Sequence, residues 1–294
     1  MLKNDAIIKA IDKEKQIRIW AAATTNLVRE AQERHQATPL AATALGKVLT
    51  AAVMLAADLK AQDNIITLRV DGKGAAGTII ATANCAGQVR GFINNPEANL
   101  PFFIDKPAKT GNIIGNQGVL EISKDLGLQY SYNGRVALVN GEIDDDLVYY
   151  LHNSEQVTSA AKIEVCIGSN LDIVSAGGIL IQAMPQCEEL AMLLVKKNLD
   201  ALSESSNIFQ SYSDLEELIA RLMAGMEYSI LQKDHLEFKC NCSAQRLLNI
   251  IRSLSTEEVE YLSADQDEIE ICCNFCNCKY TFSREEVLYP KTEH

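Results

Sequence analysis

The spacing of apolar and polar positions divides the first two thirds of the chain into short strands and amphipathic helices. Six stretches rich in β-branched or alternating apolar residues predict strands, at 64–70, 77–85, 88–94, 118–125, 135–139 and 177–185. Helical periodicity occurs at 24–35, 39–60 and 141–156. Adjacent strands joined by glycine turns, with helices grouped around them, favour an α+β fold over a doubly wound parallel sheet.

The stretch LAATALGKVLTAAVMLAA, residues 40–57, has the length of a membrane span, and Lys47 is its single charge. Thr38 and Pro39 precede it, and this pair is typical of the N-cap and first turn of a helix in a soluble protein. Alanine is its commonest residue and adds little insertion energy. We therefore expect a buried or groove-facing helix, and no membrane partner.

Beyond Pro185 the pattern becomes purely helical as far as about Tyr228. Leu190, Leu193 and Leu194 share one apolar stripe, and a second stripe follows the polar break at 203–214. Such short helices have little core of their own, so they must pack on another surface.

The cysteines begin after Phe238. The sequence thus predicts three parts, which are an α+β core domain (1–185), a helical linker (186–236) and a small cysteine-rich unit (237–294).

Composition narrows the function. The 294 residues, 47% of them hydrophobic, suffice for two or three domains, and the N-terminus lacks the apolar core of a secretory signal. We therefore expect a cytoplasmic protein, in which thiols stay reduced and clustered cysteines serve a metal or a redox sensor. The formal net charge of -12 argues against nucleic acid as a partner.

Motifs for catalysis have little support. Gly72, Gly74 and Gly77 match G-x-G-x-x-G, but a strand pattern follows them, which favours a glycine-rich hairpin over a dinucleotide site. The consecutive residues 144–146, all aspartate, are interpreted as a solvated first turn of a helix. The chain has four histidines, and His35 adjoins a polar helix, where a solvated side chain is expected. We expect no enzymatic activity.

The segment ICCNFCNCKY, residues 271–280, carries four of the nine cysteines. Cys240 and Cys242 form C-x-C, and Cys273 and Cys276 form C-x-x-C, so two chelating pairs can supply the tetrahedral sulfur cage that zinc prefers. A small domain of this kind gains roughly 10 to 16 kcal/mol of folding free energy from zinc in comparable peptides. We predict a strand, a tight metal turn and a second strand around the second pair.

The choice of the second pair stays open at this point. Cys276 and Cys278 repeat the C-x-C spacing, and Cys272 adjoins Cys273. We favour Cys273 and Cys276, because two intervening residues let backbone amides of the turn point at the sulfurs.

The whole chain resembles the heat-shock protein 33 family of redox-regulated holdase chaperones. The resemblance rests on the order of several segments together with the two cysteine pairs: TTNLVREAQERH, TPLAATALGKVLTAA, ITLRVDGKGAAGTI, GQVRGFINNP, SKDLG, GEIDDDLVYYLHNSEQ, AGGILIQAMP, FKCNCS and EICCNFCNCKYTF. It implies an α+β core, a helical linker and a C-terminal zinc switch, with Zn²⁺ on Cys240, Cys242, Cys273 and Cys276.

The resemblance also implies a mechanism. Reduced, zinc-bound members of the family are inactive monomers. Strong oxidants join each close pair of cysteines as a disulfide, zinc is released, and the switch and linker lose structure. The protein then dimerises, and the homodimer binds unfolding proteins without ATP under stress. Cys272 and Cys278 depart from the family pattern and leave other disulfides or ligand exchanges open. Two rival functions are a zinc-ribbon module for nucleic acid and a thiol oxidoreductase that uses C-x-x-C without zinc.

Overall fold

The computed structural model describes residues 4–102, 107–204, 207–212, 214–255, 258–259 and 268–288. The chain forms two compact units, which we call the first unit (Met1–Lys239) and the second unit (Cys240–His294). Each mixes helices with antiparallel strands, so the predicted α+β class is confirmed.

The strands of the first unit are, in chain order, β1 (Ala6–Asp12), β2 (Ile17–Ala23), β3 (Ile65–Asp71), β4 (Thr78–Asn84), β5 (Gln88–Ile93), β6 (Val119–Asp125), β7 (Tyr132–Ala137), β8 (Ser159–Ile167), β9 (Ile173–Ala183), β10 (Tyr228–His235) and β11 (Glu237–Phe238). Its helices are α1 (Thr25–His35), α2 (Pro39–Ala56), α3 (Gly111–Ile114), α4 (Ile143–Asn153), α5 (Glu189–Ser203), α6 (Ile208–Ser211) and α7 (Leu215–Leu222).

These strands form two sheets. The first sheet has the order β10-β1-β2-β9-β8 and is antiparallel throughout. The second sheet has the order β11-β5-β4-β3-β6-β7 and is antiparallel except where β11 joins β5. The glycine-rich segment 72–77 connects β3 to its antiparallel neighbour β4, so the hairpin interpretation of that motif is confirmed.

Helix α2 lies between the sheets and packs on strands of both. Its N-terminus is as predicted: Pro39 opens the first turn, and the Thr38 side chain accepts a hydrogen bond from the N–H of Ala41. The helix is long and apolar enough to cross a membrane, but 89% of that stretch is buried inside the protein. This burial favours the core-helix interpretation.

The buried Lys47 of α2 is paired rather than isolated. Its Nζ lies 2.6 Å from Oε2 of Glu142, whose Oε1 accepts hydrogen bonds from the N–H groups of Thr110 and Gly111. Burial opposes ionisation of Glu142, but Lys47 and these donors hold the pKa of its carboxyl below the usual value. The pair thereby ties α2 to the starts of α3 and α4.

Helices α5, α6 and α7 cover the opposite face of the first sheet. Their apolar side chains, including Val195, Phe209 and Leu218, form one core with Ile19 and Ile179 of the sheet. The expectation that these helices need another surface is therefore confirmed. The strand β10 that follows them lies within residues predicted as helical linker and pairs with β1. The division into a core domain, a linker and a cysteine-rich unit remains a prediction.

Two expectations about polar residues were wrong in part. Residues 144–146 do form the first turn of α4, and Asp145 is exposed as expected, but its two neighbours are not solvated. Asp144 and Asp146 are buried, and Oδ1 of Asp146 accepts hydrogen bonds from the N–H groups of Val139 and Asn140, so this carboxylate organises the turn before α4 instead of facing water. His35 is half-buried, with Nε2 2.9 Å from the carbonyl oxygen of Gly91.

The second unit contains α8 (Ala244–Arg252), the antiparallel strands β12 (Glu268–Cys272) and β13 (Lys279–Ser283), and α9 (Arg284–Leu288). The described part of its core is small and consists of five buried residues: Ile251, Val259, Ile269, Phe282 and Val287. The predicted strand, turn and strand around the cysteines are confirmed.

Candidate metal centre

The second unit brings together the four cysteines that form the two predicted pairs. The sulfurs of Cys240, Cys242, Cys273 and Cys276 all lie within 4.8 Å of one another. Across the pairs, Cys240 Sγ is 3.8 Å from Cys273 Sγ, and Cys242 Sγ is 3.3 Å from Cys276 Sγ. Cys273 and Cys276 are buried, whereas Cys240 and Cys242 are half-buried.

A tight turn between β12 and β13 positions the second pair. The N–H of Cys276 and the N–H of Asn277 both donate to the Cys273 carbonyl, and the N–H of Cys273 donates to the Cys278 carbonyl. Asn277 has a left-handed backbone with a φ of 57°, a conformation that asparagine tolerates better than most residues. The turn thus folds back immediately after Cys276.

Backbone amides of this turn point at the sulfurs. The N–H groups of Phe275 and Cys276 donate to the sulfur of Cys273, and the N–H of Cys278 donates to the sulfur of Cys276. Hydrogen bonds of this kind stabilise thiolate over thiol. This arrangement is the physical reason for which the sequence favoured C-x-x-C as the second pair.

The first pair directly precedes α8. Ser243, the N-cap of that helix, accepts a hydrogen bond from the N–H of Arg246. The helix therefore begins immediately after Cys242 and fixes the direction in which the chain leaves the site.

Sequence reasoning missed Tyr280. Its hydroxyl lies 3.2 Å from Cys242 Sγ, and this hydrogen bond is the main cause that raises the pKa of the tyrosine. Residues of β13 alternate between faces, so Tyr280 lies on the same face as the buried Phe282. That alternation, two residues beyond Cys278, is the signal that could have identified it.

Burial raises the pKa of the thiols of Cys273 and Cys276, and the backbone donors only partly oppose it. Without a cation, these two groups therefore favour the protonated form more strongly than free cysteine does. A bound divalent cation would supply the positive charge that four clustered thiolates need.

The donor set fits zinc. Zinc bound by sulfur at about 2.3 Å in a tetrahedron separates the ligand sulfurs by about 3.8 Å. The separations of 3.8 Å and 3.3 Å, with every pair within 4.8 Å, are close to that spacing. Four soft thiol ligands without carboxylate donors match zinc better than magnesium or calcium.

The two extra cysteines of the turn differ in position. Cys272 is exposed, and its thiol donates to the side-chain oxygen of Asn277, 2.9 Å away. Cys278 is half-buried, and its thiol makes a hydrogen bond with the thiol of Cys276. Neither belongs to the group of four mutually close sulfurs.

The remaining cysteines lie in the first unit. Cys166 is buried in β8, with its sulfur 2.7 Å from the side-chain oxygen of Asn207. Cys85 and Cys187 are half-buried and donate to backbone carbonyls. Their interpretation as core or boundary residues is confirmed.

Comparisons of the sequence and of the fold with known proteins all find the same family. A family model described as Hsp33 protein matches residues 5–283. Proteins named 33 kDa chaperonin from Clostridium beijerinckii and Clostridium botulinum are 35% and 37% identical over 283 residues, covering 96% of this chain and 97% and 96% of theirs. The crystal structure of the 33 kDa chaperonin, a heat shock protein 33 homolog, from Thermotoga maritima has a TM-score of 0.88 at 29% identity, covering 97% of this chain and 96% of that one.

Proposed function

Since the chain belongs to the Hsp33 family of chaperones, and so to proteins that bind unfolded clients, we propose that it is a redox-regulated holdase that works without ATP. The reduced, zinc-bound monomer is inactive, and oxidation produces an active homodimer in the cytoplasm. The observation that carries the proposal is the group of four thiols in the second unit, which fits a metal and consists of groups that oxidants attack.

In the reduced protein, Cys240, Cys242, Cys273 and Cys276 would hold one Zn²⁺. The bound cation keeps their sulfurs as thiolates and shields them from weak oxidants. The turn amides and the Tyr280 hydroxyl orient the sulfurs and donate hydrogen bonds to them, as outer partners of a metal site do.

Oxidation by a peroxide joins Cys240 to Cys242 and Cys273 to Cys276. In each pair, one sulfur attacks a peroxide oxygen, the O–O bond breaks, and a sulfenic acid and one water form. The second sulfur then attacks the sulfenic sulfur, the S–O bond breaks, the S–S bond forms, and a second water leaves. Two thiols lose two electrons to one peroxide. Disulfide sulfurs are poor metal ligands, so the site loses its affinity for zinc.

Loss of zinc then releases apolar surface. The described core of the second unit is small, so we expect the metal to contribute a large part of its folding free energy. We propose that its unfolding is coupled to detachment of residues 186–236. Detachment would uncover the apolar side chains that α5, α6 and α7 share with the first sheet, and an exposed apolar surface is what a holdase offers to clients.

The test compares reduced and peroxide-treated protein. We expect one zinc per reduced chain, and suppression of client aggregation that appears together with zinc release. The Cys240→Ser variant should lose zinc, whereas Cys85→Ser, at a half-buried thiol of the first unit, should not. Full suppression by the reduced, zinc-loaded protein would overturn the proposal. Turnover in insulin reduction, or RNA binding at physiological salt, would favour the oxidoreductase or the zinc-ribbon function instead.

A further inference from the structure

The sulfur of Cys276 has more thiol neighbours than a simple pair requires. It makes hydrogen bonds with the thiols of Cys242, Cys273 and Cys278. Cys242 and Cys273 belong to the group of four mutually close sulfurs, but Cys278 does not. Cys276 is thus the point at which a fifth thiol adjoins the metal centre.

The turn itself holds this fifth thiol in place. The N–H of Cys278 donates to the sulfur of Cys276, and the Cys278 carbonyl accepts from the N–H of Cys273. The left-handed residue Asn277 reverses the chain between the two cysteines. Cys278 therefore has both its backbone groups and its thiol engaged by residues of the proposed second pair.

Cys272 provides the internal comparison. It also adjoins the second pair in sequence, but it is exposed at the end of β12, opposite Lys279. Its thiol donates a hydrogen bond to the side-chain oxygen of Asn277. The structure therefore distinguishes two extra cysteines that the sequence treats alike.

We propose that Cys278 is a second resolving thiol for Cys276, so that oxidation produces two alternative disulfides, Cys273–Cys276 and Cys276–Cys278. The inference rests on the proposed redox switch and adds a modification site to it. Peroxide converts Cys276 to a sulfenic acid and releases one water; the Cys278 sulfur then attacks that sulfur, the S–O bond breaks, the S–S bond forms and a second water leaves. In this product Cys273 remains a free thiol.

The spacing supports this step. Cys276 and Cys278 are two residues apart, as are Cys240 and Cys242, the pair proposed to form the other disulfide. Attack on a sulfenic sulfur requires access and a nearby thiol, and Cys273 and Cys278 both contact Cys276. The two partners therefore compete for one sulfenic acid, and thiol–disulfide exchange can interconvert the products.

The experiment follows individual thiols. Reduced, zinc-loaded protein is treated with hydrogen peroxide, free thiols are blocked with one alkylating reagent at early times, and oxidised thiols are then reduced and labelled with a second. Trypsin leaves Cys272, Cys273, Cys276 and Cys278 on one peptide, residues 253–279, so fragment spectra must locate each label. The same treatment is applied to Cys278→Ser and to the matched control Cys272→Ser.

We expect a population in which Cys276 and Cys278 carry the second label while Cys273 carries the first. Cys278→Ser should abolish this population and slow disulfide formation at Cys276 by about two-fold, because one of two resolving partners is lost. Cys272→Ser should match the wild type.

The inference is overturned if Cys278 stays free when Cys276 is fully joined to Cys273. If no cysteine of the second unit forms a disulfide, the proposed redox switch itself fails.

Discussion

Among individual residues, Tyr280 has the most direct consequence for the metal centre. Its hydroxyl lies 3.2 Å from Cys242 Sγ and can donate to that sulfur once it is a thiolate. Tyr280→Phe removes only this donor, so we expect zinc affinity to fall about ten-fold, at the lower end for an outer partner of a metal site. Competition with a chromophoric chelator measures the change.

Thr281→Ala is the control for that variant, because Thr281 is the next residue along β13 and its side chain is exposed. It should leave zinc affinity unchanged. Equal affinities for Tyr280→Phe and Thr281→Ala would show that the tyrosine only packs beside the site.

Asp146 predicts how the stability of the first unit depends on pH. Burial raises the pKa of its carboxyl from 3.8 to about 6, and among the described residues its Oδ2 has no hydrogen-bond partner. At pH values between these two pKa values, the Asp146 carboxyl is ionised in the unfolded chain but keeps its proton in the folded one. The free energy of unfolding therefore falls as pH rises. The total loss is about 3 kcal/mol, roughly half of it between pH 5 and 7.5.

Asp146→Asn removes the charge and keeps an oxygen for the N–H of Val139. We expect its free energy of unfolding to fall less steeply with pH than that of the wild type. Asp63→Asn, at an exposed aspartate of the first unit that is not among the groups shifting the pKa of Asp146, is the control and should keep the wild-type slope. The fluorescence of Trp20, the single tryptophan, follows unfolding of the first unit, and parallel curves for Asp146→Asn and wild type would contradict the assignment.

The sequence predicted some features of individual residues and not others. The spacing of the cysteines predicted two chelating pairs but left the second pair open, because Cys276 and Cys278 repeat C-x-C and Cys272 adjoins Cys273. The preference for Cys273 and Cys276 came from the turn amides that C-x-x-C allows. The partners of Asp146 depend on how a turn folds over it. The different surroundings of Cys272 and Cys278 depend on the strand register at the turn, in which Cys272 lies opposite Lys279.

Among the elements, the short helix α6 determines how the predicted linker is attached. The N–H of Ile208 donates to Glu164, and Phe209 is buried against Gly177, the residue paired with Glu164 across β8 and β9. A Cβ at Gly177 would lie 2.3 Å from the Phe209 ring, which shows how closely the ring approaches the sheet.

Phe209→Ala should weaken this attachment by about 3 to 5 kcal/mol, the usual cost of removing a buried phenylalanine. We expect faster hydrogen exchange in α6 and α7, and partial suppression of client aggregation by the reduced protein. Leu190→Ala, at an exposed apolar residue of α5, should do neither. Faster exchange without any gain in client binding would separate attachment of the linker from chaperone activity.

Element prediction succeeded where the apolar pattern was regular. Strands β3, β4 and β5 alternate strictly between buried and half-buried positions, and their predicted bounds differ from the observed ones by one residue or none. Strand β2 is buried on both faces and β10 is mostly exposed, so neither alternates, and the sequence assigned neither. Their strand character depends on pairing with β1, a tertiary contact that a local window does not contain.

At the scale of the whole molecule, the two units differ in what stabilises them. The first unit has two sheets with helix α2 packed between them, whereas the described core of the second unit consists of five residues. Small cores rarely supply enough folding free energy, and metals commonly compensate. Metal removal should therefore affect the two units differently.

We predict that chelating the metal from reduced protein unfolds the second unit while the first unit stays folded. Hydrogen exchange should become fast in α8, β12 and β13, because their thiol ligands lose the cation that holds them together. Trp20 fluorescence should still report a cooperative transition of the first unit. Re-adding zinc under reducing conditions should restore slow exchange, which excludes irreversible damage. Slow exchange in β12 and β13 after complete metal removal would mean that apolar packing alone keeps this unit folded, and the proposed coupling between oxidation and unfolding would then lose its driving force.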